Sequence, residues 1–263
     1  MSPPDPATTA SFVESICPGR FADQTVIVTG AGAGIGRAVA LRVAREGGRV
    51  VAADVHPERL EQLKAAHPGL RLVTAVGDVS VEVDVHRIVD ACDGRCDALA
   101  NNAGIMDRFQ PVDEVSDELW ERLLRVNVTG TMRMTRAVLP LMLQARDGRI
   151  VNVTSVAGVA GGAAGAAYTT AKHAIVGLTR STAFMYEPQG IRANAVAPAG
   201  VATSIEVAFG SARGQARIGW NTQAASRMAQ PEETAAAIAF LLSRDSPNVN
   251  GAILPSDAGW TSF

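Results

Sequence analysis

A 263-residue chain with 24 basic and 26 acidic side chains has a formal charge of −2, which excludes the broad cationic footprint of a nucleic-acid binder. Its 47% apolar content excludes a chain disordered throughout, and its length suits one large domain or two small ones with a sizeable core. Charged residues fall to 19% and aromatics to 5%, while glycine reaches 25 residues. A charge fraction below the usual ~25% points to small-residue packing and a surface partly covered by other subunits.

In chain order, residues 1–10 hold three prolines and no basic–apolar–cleavage pattern. No signal peptide is therefore expected, and residues 1–20 read as an N-terminal extension expected to be poorly ordered. The apolar run 25–28 is the first predicted strand, followed by a glycine-rich turn, a helix over 35–46 and a second strand over 49–53. Helix 57–66, strand 70–76, helix 80–91 with Ser80 as N-cap, strand 98–100 and a long helix 117–145 capped by Ser116 come next. Strand 149–153, helix 166–187 and strand 191–196 lead into 199–230, where no period is visible and a mobile substrate loop is expected. Pro231 with Glu232 and Glu233 opens a helix over 231–243, and the run 252–254 closes the series. Short runs rich in Val, Ile and Ala alternating with helices predict an α/β domain whose parallel sheet is buried on both faces. No window reaches 18 uncharged apolar residues, so no membrane span is expected. Cys17, Cys92 and Cys96 are too few and too isolated for a disulfide framework or a metal site. A cytoplasmic location is the expectation.

The strongest local signal is Thr29-Gly30-Ala31-Gly32-Ala33-Gly34-Ile35-Gly36, directly after a strand and opening a helix. Glycine allows the tight turn and the close approach of backbone to a pyrophosphate, while the helix N-terminus supplies oriented N–H donors. Asp54 lies 20 positions beyond Gly34, at the end of the second strand. A carboxylate there accepts adenosine-ribose hydroxyls and repels a 2′-phosphate, and the next residue is Val55 rather than an arginine, so NAD is favoured over NADP. The second signal is Tyr168 and Lys172, four residues apart and therefore on one helix face. An ammonium nearby favours phenolate, predicting a tyrosine below its ordinary value of about 10 that exchanges a proton near neutral pH. Such a pair alone is more often a solvated helix face, but Ser155 ends a strand thirteen residues upstream, where a hydroxyl opens onto the ligand crevice of an α/β sheet.

Thr29–Gly36, Asn101-Asn102-Ala103-Gly104, Asn127, Ser155 and Tyr168-x-x-x-Lys172 together resemble the short-chain dehydrogenase/reductase family, with the elements in order from Gln24 to Gly259. The resemblance implies a single doubly wound Rossmann-like domain over 21–263, with a mainly seven-stranded parallel sheet flanked by helices, and a homotetramer or, alternatively, a dimer. It makes Tyr168 the general acid/base, with Lys172 lowering its pKa and holding the nicotinamide ribose. Ser155 binds the substrate oxygen, and Asn127 positions a water linking Lys172 to solvent. It places Gly30, Gly34, Ile35 and Gly36 at the pyrophosphate, Asp54 at the adenosine ribose, Asp78 and Val79 at the adenine, and Asn102, Ala103 and Gly104 in the wall beside the cofactor. Val201 and Thr203, in the segment from Pro198, would hold the nicotinamide carboxamide, although Ala199 stands where the family usually has glycine.

The leading reading is an NAD-dependent oxidoreductase interconverting a secondary alcohol and a ketone, a small-molecule substrate. Reduction of a 3-oxoacyl thioester is the alternative within the class. A catalytically silent dinucleotide-binding regulator and a transferase using another adenosine ligand are the alternatives outside it. Val201, Ile205, Val207, Ala208, Phe209, Ile218 and Trp220 suggest a largely apolar substrate.

Overall fold

A computed structural model describes residues 12–203, 209–222 and 227–262, together with the backbone but not the side chains of 220–222. Seven strands form one sheet among these residues: β1 (Thr25–Thr29), β2 (Arg49–Asp54), β3 (Leu72–Val76), β4 (Ala98–Asn101), β5 (Gly148–Val153), β6 (Ile191–Pro198) and β7 (Ile253–Ser256). Their order is β3-β2-β1-β4-β5-β6-β7 and every pairing is parallel. The helices are α1 (Gly34–Arg45), α2 (Pro57–Ala66), α3 (Glu82–Asp90), α4 (Asp117–Leu123), α5 (Thr131–Ala145), α6 (Ala166–Tyr186), α7 (Ala212–Thr222) and α8 (Pro231–Leu242). None is long and apolar enough to cross a membrane.

The continuous apolar runs of the strands follow from burial on both faces. In β1, Val26 and Val28 join the cluster that α1 and α8 cover with Val39, Leu41, Ile238 and Leu242. Ile27, between them, points the other way, into a second cluster with Ile88, Met134, Val138 and Met142 from α3 and α5. The sheet order reverses between β1 and β4, and the crevice at that switch point lies at the carboxyl ends of the strands.

The long helix expected over 117–145 is not continuous. Its middle, Leu124–Gly130, is a π-helical stretch between α4 and α5. Gly130 approaches the end of β3 so closely that an added Cβ would lie 2.7 Å from Val79 Cγ2. The Thr131 hydroxyl also donates to the Asn127 carbonyl at 2.8 Å, a side-chain bond that competes with the regular ladder. Ser116 caps α4 as expected, accepting from Leu119 N at 3.3 Å, whereas α3 starts after Val81 with no side-chain cap, so Ser80 is not its N-cap. The segment 199–230 is more regular than its sequence suggests. It contains α7, and Val201 forms a parallel bridge with Ala229.

A buried polar chain fixes α6, which carries Tyr168 and Lys172, to the sheet. Asn101 Nδ2 donates to Asn152 Oδ1 at 2.9 Å and to Thr135 Oγ1 at 3.1 Å. Asn152 Nδ2 donates to Thr179 Oγ1 at 2.9 Å, and that hydroxyl donates to the Ile175 carbonyl at 2.7 Å. Asn152→Ala orphans groups at both ends of this chain, and its expected cost is about 2–4 kcal/mol of unfolding free energy. Urea denaturation measures it; a loss under about 1 kcal/mol would show that the chain is dispensable.

Candidate active site

The glycine-rich turn adopts conformations and approaches that only glycine satisfies. Gly30 and Gly34 have φ of +66° and +52°. A Cβ on Gly30 would lie 2.8 Å from Asn102 Nδ2, and one on Gly32 would lie 2.9 Å from Asp54 Oδ2. Asp54 is held in place by its neighbours: Oδ2 accepts from Gly32 N at 2.9 Å and Oδ1 from His56 N at 3.0 Å. Behind the turn, Thr29 Oγ1 accepts from the backbone N–H groups of Asn102 and Ala103 at 3.0 and 3.1 Å, tying the end of β4 to the end of β1.

These residues wall a cavity of about 770 Å³ lined by Gly30, Gly34, Ile35, Asp54, Asp78, Val79, Asn102, Ala103, Gly104 and Thr203. It is large enough for an extended ligand. Side chains of the glycine turn would occupy the space from which backbone approaches a ligand, so the cradle fits a pyrophosphate-containing dinucleotide. Gly36 and Val201 do not line it. Gly36 is a packing glycine, since its Cβ would come within 2.1 Å of the Gly30 carbonyl oxygen. Thr203 closes over the turn, 3.0 Å from where a Gly34 Cβ would sit. Ala199 leaves the strand with its N–H on the Ser256 carbonyl at 3.2 Å, and Gly200 to Ala202 zip onto Ala229 at 2.9 Å.

The four candidate catalytic residues converge from different elements. Ser155 lies two residues beyond β5 in extended backbone, where its hydroxyl accepts from Ala157 N at 3.1 Å and donates to the Pro198 carbonyl at 3.4 Å. Lys172 is 5% exposed; its ammonium donates to the Val153 carbonyl at 2.8 Å and lies 5.4 Å from the Tyr168 ring centroid. Asn127 stands in the π-helical stretch, accepting from Ile105 N at 2.8 Å and donating to its carbonyl at 2.9 Å. Gly104 brings it beside Lys172: a Cβ there would lie 3.0 Å from Asn127 Oδ1 and 3.7 Å from Lys172 Nζ. A second cavity, of about 850 Å³, adjoins the start of α6 and is lined by Val156, Val159, Gly165, Thr169, Ile218 and Trp260 among others.

Comparison with known proteins agrees with this geometry. The short chain dehydrogenase family model matches residues 24–214. The chain belongs to the short-chain dehydrogenase/reductase family. It is 40% identical over 251 residues to 3beta-hydroxysteroid dehydrogenase 2 of Eggerthella lenta, covering 92% of this chain and 96% of that one. The crystal structure of levodione reductase superposes with a TM-score of 0.84 at 34% identity, covering 92% of this chain and 99% of the other. A 3-oxoacyl-[acyl-carrier protein] reductase with bound NAD from Brucella melitensis gives a TM-score of 0.83 at 29% identity, covering 95% and 97%. As a short-chain dehydrogenase/reductase, the chain is an oxidoreductase acting on alcohol and carbonyl groups with NAD(P).

Three residues of this family member escape a reading of the sequence by motif. Arg59, on α2, lines the dinucleotide cavity near Asp54, with its Cβ 2.8 Å from where a Gly32 Cβ would lie. Phe109, at a φ of +58°, stacks on Phe209 at 4.7 Å between ring centroids and so joins the loop after β4 to the segment before α7. Asp107, 4% exposed, binds three backbone N–H groups. No local pattern marks any of them, because each acts across a long sequence separation. The electrostatics also depart from expectation. Burial pushes the Tyr168 hydroxyl above its ordinary value, and the Asp107 charge adds to the rise, while a hydrogen bond with Ser155 opposes it. The tyrosine pKa is therefore raised, where the sequence predicts a depressed one.

Burial pushes Lys172 down from 10.5 to about 8. Between those values the unfolded chain binds the proton that the folded chain has released, so this group's contribution to stability rises with pH across that window. Below pH 8 the buried cation costs about 3 kcal/mol relative to an ordinary lysine. In Lys172→Met this pH dependence is lost. Unfolding free energies measured from pH 7 to 10.5 are expected to show wild type gaining on the variant as pH rises; a constant difference would contradict the assignment.

Proposed function

We propose that this enzyme interconverts a secondary alcohol and a ketone with NAD, using Tyr168 as proton donor and acceptor. The observation that carries the reading is the seat of Tyr168. It lies on the first turn of α6, whose Ala166 and Thr169 line the second cavity, with the Ser155 hydroxyl on one side and the Lys172 ammonium on the other. In the reducing direction Tyr168 donates its proton to the carbonyl oxygen, and the Ser155 hydroxyl donates a hydrogen bond to the same oxygen as charge develops there. Lys172 stabilises the phenolate left behind, and Asn127 holds Ile105 and Gly104 against it; a water on Asn127 would return the proton from solvent. Oxidation runs the same proton path backwards. Bound in the glycine cradle, the nicotinamide dinucleotide supplies or accepts the hydride.

Asp54 supports NAD over NADP, because a carboxylate fixed by two backbone N–H groups repels a 2′-phosphate. Arg59 is the one cation on α2 lining that end of the cavity, and its distance from a bound phosphate sets how far NADP is tolerated. The apolar second cavity supports a bulky, mostly apolar substrate, as does likeness to a hydroxysteroid dehydrogenase. Phe184 and Met185, 82% and 62% exposed on α6, support assembly into a homotetramer; a monomeric mass by light scattering would exclude it.

A panel of cyclic secondary alcohols, steroids and one 3-oxoacyl thioester, assayed with each cofactor, tests the reading. Fluorescence titration is expected to show NADH binding at least about tenfold more tightly than NADPH. Tyr168→Phe is expected to lose about 10²–10⁴-fold in turnover on whichever substrate is active. Unchanged turnover in that variant would refute the role of Tyr168, tighter NADPH binding would refute that of Asp54, and turnover of the thioester alone would reassign the substrate.

A further inference from the structure

Asp107 lies in the irregular loop after β4, where no family motif reaches. Its carboxylate is 4% exposed and accepts three backbone N–H groups: Phe109 at 2.9 Å and Gly165 at 3.3 Å on Oδ1, and Tyr168 at 3.0 Å on Oδ2. The residue at the N-cap of α6, Gly165, has no side chain to cap the helix. Asp107 does so from 61 residues away by taking the N–H of the third helical residue, which is Tyr168 itself. The neighbouring Gln110 carbonyl takes the N–H of Ala166 at 2.9 Å. The fit is tight: a Cβ on Gly165 would lie 2.5 Å from Asp107 Oδ2 and 2.6 Å from Gln110 N.

The same carboxylate holds Phe109 in its left-handed conformation through the short Asp107–Phe109 turn. Phe109 lines the second cavity and stacks on Phe209, whereas Asp107 lines the dinucleotide cavity. One buried group, itself in the lining of the first cavity, therefore fixes a residue that lines the second and the backbone of Tyr168. A negative charge at a helix N-terminus is stabilised there, and it disfavours a second negative charge nearby.

We propose that Asp107 is a positioning residue for catalysis: its carboxylate sets the place of Tyr168 by capping α6 from a distant loop, and puts a negative charge at the helix end that carries the reacting hydroxyl. The charged and polar groups facing Tyr168 are Asp107 from the loop, Ser155 from beyond the end of β5 and Lys172 from the next turn of α6. Asp107 is the anion among them. The proposal rests on Tyr168 being the proton donor and acceptor.

Three variants test it. Asp107→Asn keeps the shape but removes the charge, so the pH profile of alcohol oxidation is expected to move to lower pH by about one unit. Asp107→Glu keeps the charge but displaces the oxygens by a methylene, so kcat is expected to fall at least about tenfold with the profile near its wild-type position. If Asp107→Asn does not fold, Gly165→Ala carries the positioning claim, since its methyl crowds the carboxylate from the helix side; kcat is expected to fall with the NADH dissociation constant unchanged. A wild-type profile in Asp107→Asn, or wild-type kcat in Asp107→Glu or Gly165→Ala, overturns the proposal. If Tyr168→Phe remains active, the proton-transfer reading itself fails. If Tyr168→Phe is dead while the Asp107 variants behave as wild type, only the role of Asp107 fails.

Discussion

A lysine ammonium buried to 5% exposure against one backbone carbonyl is the constraint on which the rest of this site depends. Taking that cation from water is costly, and the cost is met only where the Val153 carbonyl, the Tyr168 ring and a bare Gly104 surround it at once. That requires β5 to end at the right height, α6 to cross it at a fixed angle, and the loop after β4 to pass without a side chain. The Asn101–Asn152–Thr179 chain sets the second of these conditions inside the core. Asn127, fastened to Ile105 by two hydrogen bonds, sets the third. Asn152 directly precedes Val153, whose carbonyl holds the ammonium, so the core polar chain and the candidate site meet near the carboxyl ends of β4 and β5.

The division of the crevice follows from the same arrangement. On the β1–β2 side, backbone dominates: glycines, a fixed carboxylate and strand ends, suited to a charged, elongated ligand. On the α6–α7 side, apolar side chains dominate, suited to a compact, mostly apolar one. The Ser155 hydroxyl, the Tyr168 phenol and the Lys172 ammonium stand together at the start of α6, whose Ala166 and Thr169 line the second cavity. Membership of the short-chain dehydrogenase/reductase family accounts for this plan; Phe109, stacked on Phe209, lines the second cavity.

Much of this was legible in the sequence because it is locally encoded. A strand buried on both faces is a run of Val, Ile and Ala; a tight turn opening a helix beside a cavity is a run of spaced glycines, of which Gly30 and Gly34 line that cavity; a phenol and an ammonium on one helix face are Tyr168-x-x-x-Lys172. What escaped depends on distant or unpatterned contacts. The π-helical stretch ends at Gly130, packed against Val79, 51 residues away in number, a contact that no helical period announces. Helix α7 lies in a segment whose apolar residues are set by the cavity rather than by a core face. Ile205, Val207 and Ala208 fall outside the described residues, as does the side chain of Trp220, while Ile218 lines the second cavity as its apolar character suggested. Asp107 acts on a helix 61 residues away. The tyrosine's charge state escaped for a related reason. Spacing shows a lysine nearby, but only the fold shows that the hydroxyl is desolvated and that a carboxylate caps the helix turn carrying it.

The central claim is that the fold presents Tyr168 as a half-buried acid whose hydroxyl is desolvated and protonated. The chain has two tyrosines, so Tyr186→Phe leaves Tyr168 as the only phenol, and absorbance titration of that variant reads it directly. The expected result is a phenolate that appears only well above the ordinary tyrosine value of about 10. A phenolate forming at or below that value would contradict the account.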